Sequence, residues 1–302
     1  MILHRITIKA LIAIAASGYI PMNLAANSNQ ALETQLKEYV SQKDARIGIA
    51  VITGDKDTVE VNGHEPLPML SVYKFPQALA VAEYCRQHGI AFSDTIDISA
   101  SEIKGNTYSP LRDRYGVADM RLPIAELLRH TIQLSDNNAC DILFRLIGGT
   151  AVADSMIKSR GFNGINIIST EDEMHADTSL CYRNTSTPID MAQLLNNFDK
   201  EMRYAGSEYR DIAQLMETCT TGTDRLAAPL SSTGTIIGHK TGTGDRNADG
   251  RIIGLNDAGY IHLPDGRGYT IAVFISDSAY DYPATAGMIA EISEIVYKYM
   301  HQ

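Results

Sequence analysis

Positive charge is in short supply: 26 lysines and arginines stand against 36 aspartates and glutamates in 302 residues, for a formal net charge of −10. That balance excludes nucleic acid or an anionic membrane as the main partner. It still allows an anionic small substrate at a local basic site. Cysteine is sparse, with Cys85, Cys140, Cys181 and Cys219 at spacings that resemble no zinc site. They read as buried thiols on helices, although an exported chain could pair them. The eight histidines are scattered and form no metal-ligand pair at helical spacing, so neither a metal nor another cofactor is expected. No internal repeat or low-complexity linker is present. Beyond the first residues no run is long and apolar enough to cross a bilayer.

The N-terminus carries Arg5 and Lys9, then an apolar stretch from Ala10 to Ile20, then Leu24-Ala25-Ala26. This is the pattern of a secretory signal peptide over residues 1–26, cleaved near Ala26, and it predicts a periplasmic protein with no membrane association after processing. The apolar stretch is shorter than the roughly 20 residues of a spanning helix.

With 44% hydrophobic and 21% charged residues, the rest is ordinary globular sequence. Leu32, Leu36 and Val40 recur at spacing four, predicting a helix over Asn29 to Lys43. Arg46 to Thr53 is a β-branched strand, turned at Gly54 and returned over Thr58 to Asn62. A long helix follows Ser71. Further helices are predicted over Ile124 to Gln133, Asn137 to Ile147, Ala151 to Arg160, from Ile189, and over Glu208 to Cys219. Between Ile167 and Pro188 the periodicity fails, and a loop of that length in a compact domain is usually functional. Strands return over Thr235 to Lys240, Arg251 to Asn256, Gly259 to Leu263 and Tyr269 to Ser276, and an amphipathic helix over 285–300 closes the chain. The expected fold is α/β (α+β). An antiparallel sheet of about five strands comes from both termini (27–66 and 215–302), with a helical domain inserted over 67–214 and the site at their junction.

Three polar clusters carry the chemistry. Ser71 and Lys74 lie three residues apart, on one face of a helix, as a nucleophile and its proton partner. A lysine takes that proton only if burial or a neighbouring cation lowers its pKa, and Lys240 is a candidate for that cation. Ser135-Asp136-Asn137 falls between two helices, where Ser135 or Asp136 caps the second. Ser135 could also relay a proton to a leaving nitrogen, with Asn137 contacting Lys74 and a substrate amide. Lys240-Thr241-Gly242-Thr243-Gly244 ends a strand; its lysine and threonines can hold a carboxylate, and glycine admits a ligand backbone. The N–H groups of Ser71 and Thr243 are candidates for an oxyanion hole.

Together the clusters resemble the class A serine β-lactamases, and the resemblance runs from about Asn29 to the end. It implies a fold of the serine β-lactamase and penicillin-binding-protein type, and hydrolysis of penicillins and cephalosporins through a serine acyl-enzyme, which confers antibiotic resistance. A small-molecule β-lactam would be the partner and a monomer the working form. Tyr108-Ser109-Pro110 is similar to the segment whose aromatic ring lines the cleft mouth. Asn184 to Pro188 resembles the end of the family's long loop, and counting back thirteen residues from Asn184 gives Glu171 as the base that activates water. Glu173 is the competitor. Thr170-Glu171 followed by Met174-His175 resembles a cephalosporinase-rich, extended-spectrum branch, with His175 at a substrate-binding position. Asp172 stands where familiar members have proline, which predicts an altered loop. Arg225 is preferred to Arg251 as the arginine near the strand that binds the substrate carboxylate. Two alternatives share the nucleophile: a D-Ala-D-Ala peptidase, and a periplasmic β-lactam sensor that is acylated without turnover.

Overall fold

The computed structural model describes residues 21–54, 57–204 and 206–301, with side chains from Asn29 onward. The expected signal segment falls largely on residues 1–20, outside the described residues. In chain order the elements are α1 (Pro21–Ser41), β1 (Arg46–Thr53), β2 (Asp57–Val61), β3 (Leu67–Pro68), a 3-10 turn (Leu70–Tyr73) and α2 (Lys74–His88). Next come β4 (Thr95–Ile98), α3 (Pro110–Tyr115), β5 (Met120–Pro123), α4 (Ile124–Gln133), α5 (Asn137–Ile147), α6 (Thr150–Ser159) and α7 (Glu171–Ala176). A further 3-10 stretch (Thr178–Tyr182), β6 (Thr185–Ser186), α8 (Pro188–Glu201), α9 (Ser207–Glu217), β7 (Ile236–Thr243), β8 (Ile252–His262), β9 (Gly268–Ser278) and α10 (Tyr282–Met300) follow, with short 3-10 turns also at Ala100–Glu102 and Ala228–Leu230.

β1, β2, β7, β8 and β9 form one antiparallel sheet in the order β2-β1-β9-β8-β7, so strands from both ends of the chain share it as expected. Side chains alternate along a strand. Ile271, Val273 and Ile275 of β9 point to one face, where Leu32 and Leu36 of α1 and Ile289, Ile292 and Val296 of α10 cover them. Ala272 and Phe274 point to the other, against α2, α8 and the helices between β3 and β6. α2 is buried from Lys74 to Ala82, an apolar helix in the middle of the larger core. α8 lies in the 67–214 segment and packs directly on β1, β8 and β9.

Three expectations need correction. Arg251 to Asn256 and Gly259 to Leu263 are not two strands but the single strand β8. The break between them falls at Asp257-Ala258, yet Asp257, like Asn256 before it, is fully buried and hydrogen-bonded. Gly259 is required by packing: a Cβ there would stand 2.6 Å from the Gly238 carbonyl oxygen of β7. The 167–187 loop is not structureless, since it holds α7 and a 3-10 stretch, both too short to show a helical period. All four cysteines are unpaired, and only Cys85 and Cys140 lie on α-helices.

Candidate active site

The Ser71 turn is sewn to the sheet. Asn256 on β8 donates through Nδ2 to the carbonyls of Pro68 (2.8 Å) and Met69 (2.9 Å). The next residue, Leu70, sits at φ +46°, a left-handed conformation disfavoured by about 1–2 kcal/mol for a side chain of this kind. Its buried side chain packs over Gly254, where a Cβ would lie 2.3 Å from Leu70 Cδ2. Sheet anchoring and a missing Cβ thus hold the bend that turns Ser71 toward the cavity.

Lys74 opens α2 and is fully buried. Its Nζ donates to Ser71 Oγ (3.1 Å), the Ser135 carbonyl (2.8 Å) and Asn137 Oδ1 (2.7 Å), and lies 2.9 Å from Glu171 Oε1. Ser71 Oγ donates to the same Glu171 oxygen at 3.4 Å. Burial alone would lower the pKa of Lys74, but the Glu171 carboxylate and further negative neighbours outweigh it and the net direction is up. The resting ammonium is therefore charged, contrary to the expectation that it would be poised to accept a proton.

Ser135 also has a positive φ, +61°. Asp136, not Ser135, caps α5 by accepting from the Ala139 N–H (2.8 Å), and it accepts from Ser109 Oγ and the Leu111 N–H as well. That fully buried carboxylate ties the Tyr108 segment to α5. Asn137 donates through Nδ2 to Thr107 Oγ1 (2.8 Å), and its N–H donates to the Tyr108 carbonyl. Lys240 Nζ crosses from β7 to Ser135 Oγ (2.9 Å) and to the Thr241 carbonyl (2.8 Å). Burial first and the Lys74 charge second push Lys240 down to about 7, opposed by Cys219, Glu171 and Asp257. The lysine whose pKa falls is thus Lys240, not Lys74.

β7 runs alongside the Ser71 turn. A Cβ on Gly242 would stand 2.4 Å from the Met69 carbonyl oxygen and 3.3 Å from the Ser71 nitrogen, so only glycine allows this approach. Thr241 is buried and Thr243 exposed. Arg225 reaches the strand from behind, donating to the carbonyls of Gly242 (2.9 Å) and Asn256 (2.8 Å) and to Thr243 Oγ1 (2.6 Å). Arg251 is engaged elsewhere, with Asp44 and the Asp277 carbonyl.

The loop carboxylates separate cleanly. Glu173 closes a capping box with Thr170, accepting from its N–H at 2.9 Å while Thr170 Oγ1 accepts from the Glu173 N–H. Glu171, two residues earlier, faces Ser71 and Lys74. Asp141 of α5 fixes it there, accepting from the N–H groups of Glu171 (2.8 Å) and Asp172 (2.9 Å). Burial and the nearby Glu171 charge raise Asp141 to about 7 against the pull of those two bonds. Asn184 ties the loop base, accepting from Ile168 and Ser169 N–H and donating to the Ser169 carbonyl. His175 and Tyr108, the latter 58% exposed, line with Thr243 and Glu171 a cavity of about 320 Å³ over Ser71.

Asp141 and Asn256 escaped the sequence reading. Asp141 lies four residues after Asn137, on the same helix face, and that spacing was a usable signal. Asn256 closed a predicted strand, and nothing near it in sequence marks its amide as an anchor for the Ser71 turn.

Residues 31–300 match the family model of the β-lactamase enzyme family. A β-lactamase of Bacteroides uniformis is 40% identical over 270 residues, covering 89% of this chain and 91% of the relative. The extended-spectrum β-lactamase PER-1 of Pseudomonas aeruginosa is 31% identical over 297 residues, covering 97% and 96%. Among solved structures, TLA-1 extended-spectrum β-lactamase superposes with a TM-score of 0.88 at 37% identity, over 91% of this chain and all of that one. A class A β-lactamase from Bacteroides cellulosilyticus gives 0.86 at 38% identity, over 90% and 98%.

Proposed function

The chain belongs to the β-lactamase enzyme family as a class A serine enzyme that hydrolyses β-lactams, and from that premise we propose how its residues divide the work. Ser71 Oγ attacks the lactam carbonyl. The observation that carries the reading is the single Glu171 oxygen in contact with both Ser71 Oγ and Lys74 Nζ. Because Lys74 is held as a cation, the Ser71 proton passes to Glu171, directly or through a water, and Lys74 steadies the charge. The N–H groups of Ser71 and Thr243 receive the developing oxyanion; the closeness of Gly242 to the Ser71 nitrogen supports this.

Ser135, in contact with Lys240, delivers a proton to the ring nitrogen. Asn137 binds the substrate amide. Lys240, Thr241 and Thr243 take the substrate carboxylate, with Gly242 giving its backbone access and Arg225 adding charge from behind. Tyr108 and His175 border the side-chain subsite. Glu171 then draws a proton from the water that opens the ester. General-base help of this kind contributes about 10²–10⁴ in rate. Without it the acyl-enzyme would persist, as in a D-Ala-D-Ala peptidase or a sensor. The relatives named extended-spectrum support a broad range of β-lactam substrates. The chain would work as a periplasmic monomer after removal of residues 1–26, with its helical part spanning 67–214.

Purified mature protein should hydrolyse a chromogenic cephalosporin, and Ser71→Ala should not. Glu171→Gln should accumulate a covalent adduct visible by mass spectrometry; normal turnover by that variant would overturn the assignment of Glu171.

A further inference from the structure

Behind the Lys240 strand lies a second cluster that the hydrolytic scheme does not use. His239 of β7 is buried and its Nδ1 sits 2.9 and 3.0 Å from the two oxygens of Asp257 on β8. That contact makes Nδ1 the protonated nitrogen facing the carboxylate. The thiol of Cys219, just beyond the end of α9, is close enough to the imidazole that each shifts the other's ionisation. An imidazole paired with a carboxylate thus neighbours a thiol, surroundings that favour a thiolate nucleophile.

Cys219 differs from the other three cysteines on two counts. It is partly exposed, whereas they are buried. Burial pushes Cys85 and Cys181 up to about 11 and Cys140 up as well. Burial also opposes ionisation of Cys219, but His239 and Lys240 reverse it, bringing the thiol down to about 7.

The surroundings connect this thiol to the cleft. Cys219 Sγ contacts Thr221 Oγ1 at 3.3 Å, and Thr221 Oγ1 contacts Thr241 Oγ1 at 2.5 Å. Thr220 N–H donates to the carbonyl of Gln133, and Gln133 donates back to the Thr218 carbonyl, two residues before Ser135. Gly222 leaves no slack, since a Cβ there would be 2.4 Å from Thr241 Cγ2. A group added at Cys219 would take the place of its contact with Thr221, which is bound in turn to Thr241 of the strand.

We propose that Cys219, activated by His239 and Asp257, is a reversible thiol-modification site for low-molecular-weight disulfides, and that its occupancy switches off β-lactam turnover. In the exchange the Cys219 thiolate attacks one sulfur of the disulfide. The new S–S bond forms as the old one breaks, and the departing thiolate takes a proton from solvent. A thiol reverses the step.

The probe is 5,5′-dithiobis(2-nitrobenzoate), whose released thiolate is read by absorbance. Folded protein should release one equivalent and denatured protein four, matching its four cysteines. Peptide mapping should place the label on Cys219, and the labelling rate should be half-maximal near pH 7. Hydrolysis of a chromogenic cephalosporin should fall about tenfold or more in step with labelling and return on adding dithiothreitol. Cys219→Ser should hydrolyse the substrate and ignore the reagent. Label on another cysteine, no label on the folded protein, or full label with unchanged turnover would each overturn the proposal. Should Cys219→Ser fold poorly, mapping and recovery on the unaltered chain still decide. The effect on turnover rests on the roles given above to Lys240 and Thr241. The site of label and its pH dependence do not, so the two failures can be told apart.

Discussion

The helical wall and the strand wall of the cleft each present one fully buried lysine, and the two behave in opposite ways. Lys74 and Lys240 have lost the same solvent. Lys74 has a carboxylate at 2.9 Å and is held charged. Lys240 donates to a hydroxyl and a carbonyl, and it falls to about 7. Burial alone does not decide the state of a buried cation; the formal charge of its nearest partner does. The helical wall is therefore built as a neutralised pair, and the strand wall as a site that gains when an anion arrives.

The sharpest way to break this contrast is to remove the cation from the helical wall. Lys74→Ala leaves the partly buried Glu171 without its cationic partner. Turnover of a chromogenic cephalosporin should drop by about 10²–10⁴. Turnover close to that of the unaltered protein would show that the pair does not drive the cycle.

On the strand wall the test is alkaline. Lysine is cationic below its pKa, so in the free enzyme Lys240 loses its charge as pH rises through about 7. For substrates bearing a carboxylate, kcat/KM should decline through that range, since this ratio reports the free enzyme. Lys240→Arg should lift the limb by more than one pH unit, because a guanidinium stays charged.

A smaller effect separates the walls by stability. Asn184→Ala removes three hydrogen bonds at the base of the Glu171 loop. It should cost about 1–3 kcal/mol, read as a lower Tm, and should slow acylation and deacylation together, since Glu171 serves both steps. The least effect comes from Asp141. Its folded pKa of about 7 lies above the ordinary 3.8, so the native state binds the extra proton and stability falls as pH rises from about 4 to 7. Asp141→Asn should flatten that part of a Tm-against-pH curve.

Much of this was legible beforehand, for physical reasons that can be named. The sheet showed itself because β1 and β9 are β-branched runs bounded by turn residues, and α4 and α5 because their apolar faces recur at helical spacing. Ser71, Lys74, Ser135 and Lys240 stood out because short-range order places each cluster on one element. What stayed hidden depends on contacts distant in sequence. The polar centre of β8 resembles a turn until Pro68 and Met69 are seen to receive the Asn256 amide. The charge of Lys74 cannot be read without the loop that brings Glu171 to it. Glu171 and Glu173 are two residues apart and equally acidic; only the capping box tells them apart.

The Ser71 turn hangs from the Asn256 amide on the central sheet, and the Glu171 segment hangs from Asn184 and Asp141 on its own side of the cleft. The two suspensions meet, since the Met69 N–H donates to the Asn184 carbonyl at 2.8 Å and β3 pairs with β6. Drift around Asn184 that changes how long an adduct survives therefore reaches the attacking serine as well, and adaptation to a new drug in this loop carries a cost in how fast the adduct forms.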